Sequence, residues 1–252
     1  SRRQRQMCIR DSCKKDSTVH FEGKVWKMKG RIVESIFAIG MSPFLMNVCA
    51  CAIVIVINNS LQEHGGDMAI GAYGIINRLL TLYVMIVLGL TMGMQPIVGY
   101  NFGAQKIDRV KQTLKLGIIS GVVITSSGFL ICEFFPHAVS AVFTDSDELI
   151  GLAVDGLRLT VLMFPFVGAQ IVIGNFFQSI GKVKISIFLS LTRQLLYLLP
   201  CLLLFPHWWG LKGIWISLPV SDSLAFITAV ISLMIYIKKV SKEHPIADKV
   251  AE

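Results

Sequence analysis

Six stretches with little or no charge decide what this chain can become. Residues 35–57, 79–105 and 159–181 contain no Asp, Glu, Lys or Arg, and 116–132 is uncharged but slightly short. Residues 185–211 carry only Arg193, and 214–237 only Asp222. About 20 mainly apolar residues in a helix cross the roughly 30 Å hydrocarbon core of a bilayer. One such run fits a soluble core equally well, but six in one short chain do not. Composition agrees: 16% of residues are charged, against about 25% in a soluble domain. The expected fold is an all-α membrane protein, a six-transmembrane-helix bundle over residues 32–237.

Charge placement sets the expected orientation. Of 24 Lys and Arg, all but Arg78, Arg158, Arg193 and Lys212 lie in residues 1–31, 106–115, 182–184 and 238–249. These segments share one side if the helices alternate, and positive charge stays cytoplasmic. Both termini of this multi-pass protein are therefore expected on the cytoplasmic side. Orientation accounts for the net charge of +8 without a nucleic-acid partner. Residues 1–12, "SRRQRQMCIRDS", read as non-native linker sequence, 13–31 as a basic cytoplasmic connector, and 238–252 as a cytoplasmic tail. The chain reads as truncated before its first span.

The side chains offer no enzyme. Cys49 and Cys51 stand in a C-x-C on a span, where a helix turns them about 200° apart. Cys132 and Cys201 sit singly in apolar runs, and the five histidines fall in loops or tails. No metal-ligand spacing and no partnered nucleophile occurs, so neither metal nor cofactor is expected.

One stretch breaks the membrane pattern. "GMQPIVGYNFGAQKIDRVKQTLK", residues 93–115, places Gln95 and Pro96 side by side late in a span. Proline removes an amide donor and displaces the carbonyl four residues earlier, at Met92, and a freed carbonyl is costly in hydrocarbon unless protein or water meets it. Gly89 with Gly93, and Gly99 with Gly103, make two G-x-x-x-G steps suited to close helix approach. Gln95 then faces either a substrate path or a packed helix end, and the sequence leaves both open.

This stretch resembles the signature of the multidrug and toxin extrusion (MATE) transporters, carried by Gly93, Gln95, Pro96, Asn101, Gly103 and Ala104. "FFQSIGKVKISIFLSLTRQLLYLLP" is similar to the passage from fourth to fifth helix in that family's second lobe, and "GLKGIWISLPVSDSLAFI" to its last helix. The resemblance covers about residues 30–240, is closest to the MepA-like branch, and implies a second lobe whose partner, the N-terminal lobe, is missing. It further implies alternating access, with a proton or sodium gradient driving efflux of lipophilic, cationic drugs. The sodium-coupled branch uses an acid in the first and fourth helices of this lobe, where this chain offers only Asn47 and Gln170. Cavity candidates are Gln95, Asn47, Gln170, Asn175, Gln178 and Tyr197. A lipid-linked oligosaccharide flippase of the same superfamily and a non-transporting structural bundle remain as alternatives.

Two ionisable groups stand deep in their spans. Arg193 lies about 13 Å past Lys184 and Asp222 about 12 Å past Ile214 at 1.5 Å per residue. Intramembrane charges face the protein interior and pair, so these two are expected to meet, as a structural pin or as an ion relay. Trp208, Trp209 and Trp215 read as an interfacial belt. Tyr83, Tyr100, Phe164, Phe166, Phe176, Phe177 and Tyr197 face lipid or line a cavity, and Arg78 snorkels or lines an external vestibule.

Overall fold

A computed structural model describes residues 30–243, which are helical throughout apart from short connections. The linker and connector expected over 1–29 and the tail from 244 onward lie outside the described residues. The last helix continues through Lys238 and Lys239 to Glu243, past the expected start of the tail. Residues 1–45 form a separate unit from Met46–Glu252, and the packing below concerns the second.

Helix α1, Gly30–Gly103, departs from helical geometry at Gly66 (φ 66°, ψ −163°). At 1.5 Å per residue its apolar part, Asn47–Gly103, would run about 85 Å if straight. A left-handed φ costs L-residues a clash between Cβ and the carbonyl that glycine lacks, so the reversal falls at a glycine between the uncharged runs 35–57 and 79–105. Ile53, Ile57 and Leu61 before Gly66 share a buried cluster with Ala69 and Ile76 after it.

Helix α2, Ile107–Phe134, packs most extensively against α5, Phe164–Ser179. The reason is a small-residue face on α2 formed by Gly117, Gly121 and Thr125. A Cβ placed on Gly168 of α5 would strike the Gly121 backbone, and would lie 2.6 Å from Thr125 Oγ1. Thr125 uses that proximity to donate to Pro165 O at 3.1 Å across the interface. The expected close approaches at Gly89, Gly93 and Gly103 do not form: nothing lies within 4 Å of an added Cβ there. Those glycines face outward, and the tight contact belongs to the next helix.

Residues 136–158, between the uncharged runs 116–132 and 159–181, are largely helical: α3, Pro136–Ala141, and α4, Asp147–Val161. Helix α4 opens with Asp147 and Glu148 and closes near Arg158, charges that oppose the macrodipole at each end. The chain breaks at Leu162–Met163, and α5 restarts with Pro165 in its first turn, where its missing N–H costs nothing. The two helices meet at 54°, so the span expected to start at 159 is one arm of a bent pair.

Helix α6, Val183–Leu191, runs into a seven-residue π segment, Thr192–Leu198, and then α7, Leu199–Trp209, and α8, Leu211–Glu243. The Leu199 N–H reaches back to Gln194 O, five residues away. Pro200 has no N–H to give, and the widened turn absorbs that loss. Among the described residues, four helices are long and apolar enough to span a membrane, or five if the bent pair counts as one.

The G-A-Q-K end of the signature is a helix stop. Lys106 N–H donates to Asn101 O at 2.9 Å and Gln105 N–H to Phe102 O at 3.1 Å, the paired bonds of a Schellman cap. Gln105 holds the left-handed position (φ 58°) that Gly181 (φ 75°) fills in the matching stop after α5. Relief of strain worth about 1–2 kcal/mol outweighs the roughly 0.5–1 kcal/mol of added chain entropy. Gln105→Gly is therefore expected to raise stability slightly, by about 0.5 kcal/mol, read as a small upward shift in thermal unfolding; a downward shift contradicts the cap.

Candidate functional site

Two apolar clusters divide the lobe along its length. One gathers Ile57, Ile76, Leu157, Val161, Leu198 and Trp215, with Leu218 packed against it. The other gathers Val87, Met94, Val172, Phe176, Phe177 and Ala229. Helices that pass from one cluster to the other carry polar residues in between: Gln170 on α5, Arg193 and Gln194 on the π segment, Asp222 on α8. A polar layer between two apolar cores requires internal partners, since hydrocarbon supplies none.

Arg193 and Asp222 provide the principal pair. Arg193 Nε and Nη2 each lie 2.9 Å from Asp222 Oδ1. The carboxylate side chain is 14% exposed and the guanidinium side chain 36%. Both donors engage a single carboxylate oxygen, so the pair is less complete than a two-by-two fork.

A cleft opens on each side of Arg193. The first, about 280 Å³, is lined by both halves of the α1 hairpin through Ile57, Tyr73 and Asn77, by Phe164, and by Arg193, Gln194 and Asp222. The second, about 300 Å³, lies between α5, α6 and the π segment and is lined by Gln170, Asn175, Gln178, Ser190, Arg193 and Gln194. Only Arg193 and Gln194 belong to both. The π segment is what gives them this position, and π turns often mark functional sites.

The expected site residues separate accordingly. Gln170, Asn175 and Gln178 come together in the second cleft, although Asn175 Nδ2 donates to Ile171 O at 3.0 Å within its own helix. Tyr197 shares a 2.8 Å hydrogen bond with Thr228 Oγ1 and lines neither cleft. Gln95 is half-buried, Asn47 and Pro96 are exposed, and none of these lines either cleft. Helix α1 runs through Pro96 without a break. Asn101 is buried and donates to Ile97 O at 2.8 Å, placing it with Gly103 and Ala104 in the helix stop.

The aromatics are redistributed as well. Trp215 is 2% exposed and stacks at a tilt on Tyr73, 6.2 Å between centroids, so it belongs to the core and not to an interfacial belt; its indole fills the space left by Gly156. Trp208 and Trp209 remain exposed. Phe176 and Phe177 are buried against Tyr236; Phe176 borders a small apolar cleft with Phe102 and Tyr236, and neither lines the two clefts beside Arg193. Phe164 is buried edge-on to Tyr83 and also borders the first cleft. Tyr100, Phe166 and Arg78 are exposed. Sequence reading missed Gln194, Asn77 and Ser190; the signal for Gln194 was Pro200, which predicts a disturbed turn just before it.

Comparison with known proteins places this geometry in a family. Residues 38–203 match the model of the MatE family. The multidrug export protein MepA of Staphylococcus haemolyticus is 27% identical over 84% of this chain and 46% of its own length. A solved structure of the MATE multidrug transporter DinF-BH, a ligand complex, is 33% identical, with TM-score 0.75 over 91% of this chain and 52% of that one. An inward-facing MATE structure at 18% identity superposes with TM-score 0.80 over 94% of this chain and 55% of that one, a likeness of fold. The chain spans about half the length of the curated relatives it matches.

Proposed function

The chain belongs to the MATE family of transporters, and from that premise we propose that it forms one six-helix lobe of a multidrug exporter. The α1 segment Asn47–Gly103 then crosses twice, turning at Gly66, and the bent pair α4–α5 crosses once. With both termini cytoplasmic, the caps at Gln105 and Gly181 face the bacterial cytoplasm. A companion lobe completes the central cavity, and a proton or sodium gradient drives exchange.

The observation that carries this reading is the polar layer between two apolar cores. It sets a partly open ion pair beside two clefts inside helices suited to a bilayer. The first cleft joins aromatic and aliphatic walls to the Asp222 carboxylate, which suits a lipophilic cation. A flippase holding pyrophosphate needs a strongly cationic cavity, yet among the described residues Arg193 is the sole cation lining either cleft.

Expressing the complete gene that encodes this chain in a drug-sensitive, efflux-deficient bacterium tests the proposal. Cells are expected to accumulate several-fold less ethidium, a dye chosen because it is a flat lipophilic cation of the kind the first cleft suits. Equal accumulation despite verified membrane expression favours the flippase or the structural bundle.

A further inference from the structure

Two glutamines of the second cleft carry acceptors that no donor meets. Gln170 is 8% exposed, and its Oε1 has no hydrogen-bond partner. Gln194 Oε1, beside Arg193 on the π segment, is likewise buried and unpaired. An orphaned buried acceptor costs roughly 1–3 kcal/mol, and most buried polar groups are satisfied. Both glutamines line one open cleft of about 300 Å³, a volume at the small end of ligand pockets, with the two oxygens themselves turned into the protein. A turn of each amide about its terminal torsion brings its oxygen to the cleft, where donors supplied by a ligand resolve both.

Charge narrows the ligand further. Among the described residues Arg193 is the only charged one lining this cleft, and Asp222 lines the first cleft alone. The ion pair thus presents its positive member here. An ammonium or amidinium would satisfy the orphaned carbonyls, but like charge close by in a low dielectric opposes it. Asn175, Gln178 and Ser190 add neutral donors and acceptors.

We propose that this cleft is a second ligand subsite that binds uncharged, hydrogen-donating groups, such as a carboxamide or urea, and excludes cations. It deepens the transport reading, on which it rests only for the fate of what binds. Benzamide and benzamidine serve as probes because they share a ring and N–H donors and differ in charge.

The test uses the complete protein in detergent, without native cysteines and carrying Ser190→Cys. The rate of maleimide labelling at position 190 reports occupancy of the cleft. Benzamide at millimolar concentration, a fair affinity for so small a ligand, is expected to slow labelling several-fold, and benzamidine to leave it unchanged. Gln170→Met is expected to abolish the benzamide effect while thermal unfolding stays level or rises, because an unpaired acceptor has been removed. The proposal is overturned by equal or stronger protection from benzamidine, by no protection from either probe, or by benzamide protection that survives Gln170→Met. Occupancy is read without transport. Intact benzamide protection in a protein that fails to export ethidium therefore supports the subsite and counts only against the transport reading.

Discussion

Asp222→Asn alone is expected to remove most folded protein from the membrane, while Asp222→Asn combined with Arg193→Gln restores much of it. The asymmetry follows from the geometry. Arg193 offers two donors to Asp222 Oδ1 at 2.9 Å each, in a layer bounded by apolar clusters on both sides. Removing one partner strands the other charge, a loss on the order of 3–5 kcal/mol for buried pairs in soluble proteins. Arg193 is about one-third exposed, so the Asp222→Asn cost belongs near the lower end. The double substitution leaves two neutral groups able to hydrogen-bond each other, and replacing both partners often costs little. Membrane protein level and detergent thermal unfolding of the two single variants and the double variant provide the check. An ion relay gives another pattern: Asp222→Asn folds normally, loses gradient-driven efflux, and gains nothing from a change at Arg193.

Gly168→Val is expected to prevent the lobe from assembling, and Gly168→Ala to lower its stability by about 1–3 kcal/mol, the range for overpacking. At Gly168 the obstacle is backbone: an added Cβ meets Gly121 C at 2.7 Å and Thr125 Oγ1 at 2.6 Å. A flexible side chain can rotate aside, but a neighbouring helix must move whole. Moving α2 away also breaks the Thr125 bond to Pro165 O and opens the interface that holds α5, and with it Gln170, in place. Gly93→Ala is the matched comparison, because nothing lies within 4 Å of its added Cβ and alanine favours helix by roughly 1 kcal/mol. It is expected to be neutral or slightly stabilising. Similar losses at both positions would contradict the α2–α5 contact.

Much of the fold was legible because hydrocarbon enforces simple rules. Uncharged runs located the helices, basic segments marked their ends, and the depths of Arg193 and Asp222 brought them to one level. Pairwise packing was less legible. G-x-x-x-G spacing is the same at Gly89/Gly93 as at Gly117/Gly121, and only the neighbouring helix decides which pair is pressed. Trp215 read as an anchor because it lies near a span end, yet Gly156 opens a buried space for it. The signature around Gln95 drew attention to α1, whereas both clefts centre on the π segment. That segment arises from a backbone shift before Pro200, which no apolar periodicity reports.

Gradient-driven export is the central claim, and reconstituted liposomes measure it most directly. The complete protein is inserted, ethidium is supplied, and a pH or sodium gradient is imposed and then collapsed with an ionophore. The expected result is ethidium movement against its own gradient under one of the two ion gradients, lost on collapse and absent from empty liposomes. Ethidium that merely equilibrates, equally fast with either gradient or none, in liposomes holding correctly folded protein would contradict it.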